Sequence, residues 1–114
     1  MKRIVVAALV AFLAVPLAHA QIARVFLSGT GSDASDCTNA ATPCRSLQGA
    51  IDQAPPGAEV IVMASGGYGG ATITKSISVN AASGVVAFVA RTITINAPGS
   101  TVVLRGLTMN GINF

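Results

Sequence analysis

The chain has 114 residues, a formal net charge of +3 and a sequence pI near 9.4, and 10% of it is charged. That length holds one small domain at most. Lys2 and Arg3 supply two of the seven basic residues, so the chain beyond them carries 7 − 2 = 5 basic against 4 acidic groups, a net +1. The remaining bases, Arg24, Arg45, Lys75, Arg91 and Arg105, are scattered singly. This excludes the basic stripe expected of a nucleic-acid binder.

Met1-Lys2-Arg3 starts the chain with positive charge, Ile4 to Leu17 is uncharged and nearly all apolar, and Ala18-His19-Ala20 precedes Gln21. A basic start, an apolar stretch and a small-x-small site spell a cleavable secretory signal. The apolar run falls short of the roughly 18 residues needed to span a bilayer. The expectation is a signal peptide over 1–20, cleavage between Ala20 and Gln21, and a secreted or periplasmic product with no membrane span.

Residues 21–57 read as a first strand, a cysteine loop and a capping helix. Arg24-Val25-Phe26-Leu27 is the strand, and Ser28 to Asp33 is a loop of glycine and small hydroxyl residues. Cys37 and Cys44 are the only cysteines. An even count, a short loop and an oxidising destination predict one disulfide between them. Leu47, Ala50, Ile51 and Ala54 recur at helical spacing. Ser46 is placed to cap this helix and Pro55-Pro56-Gly57 to stop it.

Residues 58–114 read as short strands. Glu59 to Met63, Thr72 to Thr74 and Val102 to Leu104 are three of them, and Gly66 to Gly70 reads as a turn. A pattern of apolar, hydroxyl, apolar, asparagine and small residue recurs. It runs Ile77-Ser78-Val79-Asn80-Ala81, Ile93-Thr94-Ile95-Asn96-Ala97 and Leu107-Thr108-Met109-Asn110-Gly111. Its asparagines lie 96 − 80 = 16 and 110 − 96 = 14 residues apart. Asparagine suits tight turns. Strands this short satisfy their backbone only by stacking on copies of themselves, which is solenoid logic, with Ile, Val, Leu and Met inside and Ser and Thr outside. A small β-sandwich of hairpins is the competing architecture.

In order along the chain stand Leu27-Ser28-Gly29-Thr30-Gly31, Pro43-Cys44-Arg45-Ser46-Leu47-Gln48-Gly49-Ala50-Ile51, Gly57-Ala58-Glu59-Val60-Ile61-Val62, Ile73 to Val79 and Val103 to Gly111. This succession resembles the N-terminal portion of bacterial right-handed parallel β-helix repeat proteins of the pectin-lyase-like fold. The resemblance implies an all-β solenoid of a few coils behind a short N-terminal capping helix. Members run to many more coils, so against them this chain looks truncated.

The chemistry available is narrow. His19 is the only histidine and leaves with the signal, so neither a nucleophile–histidine pair nor a histidine metal ligand remains. Asp33, Asp36, Asp52 and Glu59 all precede Val60, and no acid follows. Paired carboxylates, on which glycosidases depend, are therefore not expected within the later strands. Asp33 and Asp36 read as solvated loop residues in preference to a weak calcium site, and Asp52 as the exposed side of the helix. The glycine-rich stretches at 29–31 and 66–70 lack a phosphate-loop signature.

No catalytic residue, metal or cofactor is expected. Members of the resembled family that act on polysaccharides use basic residues on a coil face. This makes Lys75, Arg91 and Arg105 candidate glycan contacts, together with Tyr68, a ring between glycines that looks exposed. Ordinary surface charge, and packing of the Tyr68 ring, are the bland alternatives. The leading reading is an exported, non-catalytic β-helix segment with a structural or surface-interaction role. Its partner would be a polysaccharide or cell-surface glycan, or a second copy meeting the uncapped C-terminal end at Leu107, Met109, Ile112 and Phe114. The other reading is a polysaccharide lyase or glycoside hydrolase whose catalytic coils lie outside this sequence.

Overall fold

A computed structural model describes residues 22–109. The expected signal and cleavage site, and the end expected at Ile112 and Phe114, lie outside these residues. The described chain is rich in β structure, with one helix and nine strands. The strands are β1 (Arg24–Leu27), β2 (Ala58–Val62), β3 (Gly66–Gly67), β4 (Ala71–Ile73), β5 (Ile77–Ala81), β6 (Ala87–Val89), β7 (Ile93–Ile95), β8 (Val102–Arg105) and β9 (Leu107–Met109); the helix is α1 (Leu47–Gln53).

Three sheets form, ordered β1-β2-β5-β8, β3-β6-β9 and β4-β7. Every strand pair is parallel. From β2 onward the chain visits the three sheets in turn, then returns to the first one strand further along. Parallel neighbours cannot be joined by a two-residue turn, so the hairpin sandwich is not what forms.

The stacking partners also correct the repeat. Ile77, Ile93 and Leu107 head strands in three different sheets and never stack on one another. The real partners are Ala58, Ile77 and Val102, spaced 77 − 58 = 19 and 102 − 77 = 25 residues apart. Gly66, Ala87 and Leu107 are spaced 87 − 66 = 21 and 107 − 87 = 20, and Ala71 and Ile93 by 93 − 71 = 22. Three short strands of like composition within one circuit mimic a shorter period. Gly66–Gly67, expected as a turn, is a strand paired with Ala87 and Phe88.

Alternation sets the inside of each sheet. Val25, Val60, Val79 and Leu104 form one inward column of the four-stranded sheet. Leu27, Val62 and Ala81 form another. Ile73, Val89, Leu47, Ala50 and Ile51 meet them in a single buried cluster. Thr72, Ser78, Thr94 and Thr108 take the alternate positions, away from the fully buried core.

The corners between strands differ in tolerance. Between the β3 and β4 sheets the corner spans residues 68–70, and one circuit later, between β6 and β7, it spans 90–92. The two stack closely, since a Cβ on Gly70 would lie 2.4 Å from the Thr92 carbonyl oxygen. The other corners vary, from Gly106 alone between β8 and β9 to 96–101 between β7 and β8.

The N-terminal side of all three sheets is covered by groups that are not strands. The Cys37–Cys44 disulfide, with a Cα–Cα distance of 5.2 Å, closes a loop lying along β1. Phe26 N–H donates to Cys37 O at 2.8 Å, Cys44 N–H to Phe26 O at 2.8 Å and Ser28 N–H to Cys44 O at 2.9 Å. The helix lies against β1 and β4. Leu47 N–H donates to Tyr68 O. The Gln48 amide accepts from Thr72 N–H at 2.7 Å and donates to Thr72 O at 3.3 Å, standing in for a neighbouring strand.

Ser46 caps α1 by accepting from Gly49 N–H at 3.0 Å. Pro55 and Pro56 follow the last turn, where Ala54 N–H still donates to Ala50 O and Ile51 O. Among the described residues no helix is long and apolar enough to cross a membrane.

Candidate functional site

The outward face of the four-stranded sheet mixes charged and polar side chains with Phe26, Ile61 and Val103. Parallel register places Arg24, Glu59, Ser78 and Val103 in one outward row and Phe26, Ile61, Asn80 and Arg105 in the next. A shallow groove of about 200 Å³ runs along this face, lined by Ile22, Gly57, Glu59, Ser78, Asn80, Val103 and Arg105.

Glu59 organises it. Its carboxylate lies 3.4 Å from Arg24 Nε and accepts from Asn80 Nδ2. Arg24 is largely exposed, so the ion pair is worth no more than about 1 kcal/mol. Its effect is to hold the carboxylate in place. Arg105 stands at the register position after Asn80 with its side chain exposed.

The arrangement offers a guanidinium, an amide, a hydroxyl and one carboxylate on a flat frame. Such groups bind hydroxyls and anionic groups by hydrogen bonds. The groove contains one carboxylate, already shared between two partners. Paired acid–base hydrolysis needs two.

Glu59 therefore stands on the stacked strands, not apart from them. The sequence places it ahead of the asparagine pattern, but β2 belongs to the same sheet as β5 and β8. Asn80 likewise lies inside β5 with its amide on Glu59, and not in a turn. Nothing local in the sequence joins positions 59, 80 and 105; the circuit length does.

The four candidate contacts do not converge. Arg105 alone lines the groove. Arg91 is exposed in the corner at 90–92. Lys75 is half-buried, and its ammonium donates to Ala54 O at the end of α1, a favoured place for a cation.

Tyr68 is the clear correction. Its side chain is 2% exposed, its hydroxyl donates to Ala64 O, and burial pushes its phenol above the ordinary value. Arg45 lies over the ring, 5.8 Å from its centroid, and donates from Nη1 to Gly67 O. A ring so enclosed has no open face for a sugar.

The loop acids are tied down. Asp33 Oδ1 accepts from the N–H groups of Arg45 and Ser46, both at 2.8 Å, and Oδ2 from Ser46 Oγ at 2.6 Å. Burial resists its ionisation, but these bonds and the Arg45 charge outweigh that and hold the carboxyl below the ordinary aspartate value. Asp36 closes a local turn on Thr38 N–H and Oγ, which lowers its pKa as well. Asp52 is exposed and accepts from Gln48.

Gln53, unremarkable in sequence, clamps the cysteine loop. It accepts from Cys37 N–H and donates to the carbonyls of Asp33 and Ser35. Among the described residues no three of His, Cys, Asp or Glu gather as metal ligands.

No protein-family model, curated protein or solved structure matches this chain.

Proposed function

We propose that the chain is an exported segment of a right-handed parallel β-helix of the pectin-lyase-like kind, a non-catalytic scaffold that binds glycan. The observation that carries this reading is the ordered circuit through three all-parallel sheets, with inward apolar columns in register. The N-terminal sequence, with its basic start, apolar stretch and Ala18-His19-Ala20 site, supports export to the periplasm or beyond. The disulfide suits that destination.

The groove supplies the recognition. Arg105, Asn80 and Ser78 face one side of a rigid sheet, and Glu59 is positioned by Arg24. Hydroxyl and carboxylate groups of an acidic polysaccharide match those donors and acceptors. With one engaged carboxylate, the groove lacks the pair that hydrolysis requires, and in this reading it holds such a chain without cleaving it.

The test uses the exported product, whose mass should correspond to a start at Gln21. Binding of uronate oligosaccharides is followed by calorimetry, with pectate and alginate degradation assayed in parallel. Binding should weaken by roughly ten- to a hundredfold in Arg105→Ala, as expected for a lost charge-assisted contact worth ~1.5–3 kcal/mol, and no turnover should appear. Turnover would favour the lyase or hydrolase reading. Equal binding by wild type and Arg105→Ala would remove the groove from the proposal.

A further inference from the structure

The cysteine loop holds β1 by hydrogen bonds that another strand would make. Along β1, Ala23 O and Leu27 O turn toward β2, where they accept from Glu59 N–H and Met63 N–H. Phe26 turns the other way, with its N–H on Cys37 O and its carbonyl on Cys44 N–H, and Ser28 N–H reaches Cys44 O. Alternation along a strand gives Arg24 the same outward sense. The free side of β1 is thus a complete pairing edge, and residues of one disulfide-closed loop occupy it.

That edge is complementary to itself. In an antiparallel pair, a residue that turns both N–H and C=O toward its partner exchanges two bonds with the residue opposite. Two copies meeting at Phe26 would form that pair about a two-fold axis, with Ser28 N–H of each facing Arg24 O of the other. A two-fold contact uses the same patch twice and closes on itself. Exposed strand edges are the usual sites of such pairing.

We propose that the Cys37–Cys44 disulfide is a seal on the β1 edge, and that breaking it turns this edge into a docking surface for a second copy of the chain. Reduction by a dithiol breaks the S–S bond, leaves two cysteine thiols, and oxidises the reductant to its own cyclic disulfide. Both cysteines are fully buried, so exchange requires the loop to lift, and lifting the loop uncovers Phe26 and Ser28. In the oxidised protein Gln53 holds Ser35 and Cys37 while Asp33 holds Arg45 and Ser46, so opening the edge breaks the Cys37 N–H bond to Gln53 together with the seal and leaves the far end of the loop on α1 through Asp33. The local consequence is an open edge, and not a lost fold.

Three chains decide it: the oxidised protein, a Cys37→Ser/Cys44→Ser double variant, and that double variant with Phe26→Lys added. Lysine on an edge strand opposes pairing. Sedimentation velocity across a concentration series should show the double variant self-associating with on the order of tenfold lower dissociation constant than the oxidised chain. The Phe26→Lys addition should return it to the oxidised value. Hydrogen exchange on dilute double variant should find Phe26 and Ser28 amides unprotected while the β2 amides Glu59 and Met63 stay protected. Equal association in all three chains overturns the proposal. So does association that Phe26→Lys leaves untouched, or loss of protection throughout β1 and β2, which would make the disulfide a support of the fold alone.

Discussion

The earlier and later circuits use the same inward columns but bury them very differently. Ile73 is fully buried, while Ile95, its register partner in the same column, is 51% exposed. Val89 is 1% exposed and its partner Met109 53%. A strand inside a stack is covered by neighbours on both sides. Among the described residues, β7, β8 and β9 have a strand neighbour on one side only. The earlier strands gain their second cover from the cysteine loop and α1. Stability in a stacked fold is thus set by position in the stack as much as by residue type.

The largest test of that contrast is a pair of identical substitutions in one column. Ile73→Ala should cost about 2–5 kcal/mol, as for a fully buried aliphatic side chain. Ile95→Ala should cost less than about 1 kcal/mol, because half of its surface is already in water. Urea denaturation of both variants gives the comparison, and equal losses would refute the dependence on position.

A second test concerns the seal. Alanine normally improves a helix over glycine by roughly 1 kcal/mol. At Gly49 the added Cβ would lie 2.4 Å from the Asp33 carboxyl carbon, which three hydrogen bonds hold in place. Gly49→Ala should therefore destabilise by about 1–3 kcal/mol. Gly67→Ala meets no neighbour within 4 Å and should be neutral or slightly stabilising. Thermal melts separate the two outcomes.

The smallest effect is on pH. The Asp33 carboxyl titrates below its unfolded value, so the native state favours the ionised form. Its contribution is present above about pH 4, the usual aspartate range, and is lost as pH falls through the lower folded value. Asp33→Asn should flatten stability against pH across that window while leaving the profile above it parallel to wild type. An unchanged acid limb would refute the role given to Asp33.

What the sequence made legible was what lies close together in it. Ser46 as a cap, the buried stripe at Leu47, Ala50, Ile51 and Ala54, and the Cys37–Cys44 pair all rest on separations of seven residues or fewer. The circuit phase did not, because Ile77, Ile93 and Leu107 begin strands of similar make-up in different sheets. Gln48, Gln53 and Glu59 were opaque for a related reason. Their partners at Thr72, Cys37 and Asn80 lie 16 to 24 residues away, and an amide on a helix announces no particular backbone partner. Tyr68 between glycines looked open because small neighbours suggest space; here Arg45 and the backbone fill it.

The uneven corners bear on how this frame can be remodelled. The corner at 90–92 sits directly on 68–70, with the Thr92 carbonyl against Gly70, so added residues there would prise two circuits apart. The corner at 96–101 has more room: it is already six residues long and almost wholly exposed. A foreign peptide spliced between Ala97 and Ser100 would leave the columns at Ile77–Val102 and Ile73–Ile95 in register. It would be presented from a rigid support whose rungs repeat every ~4.8 Å.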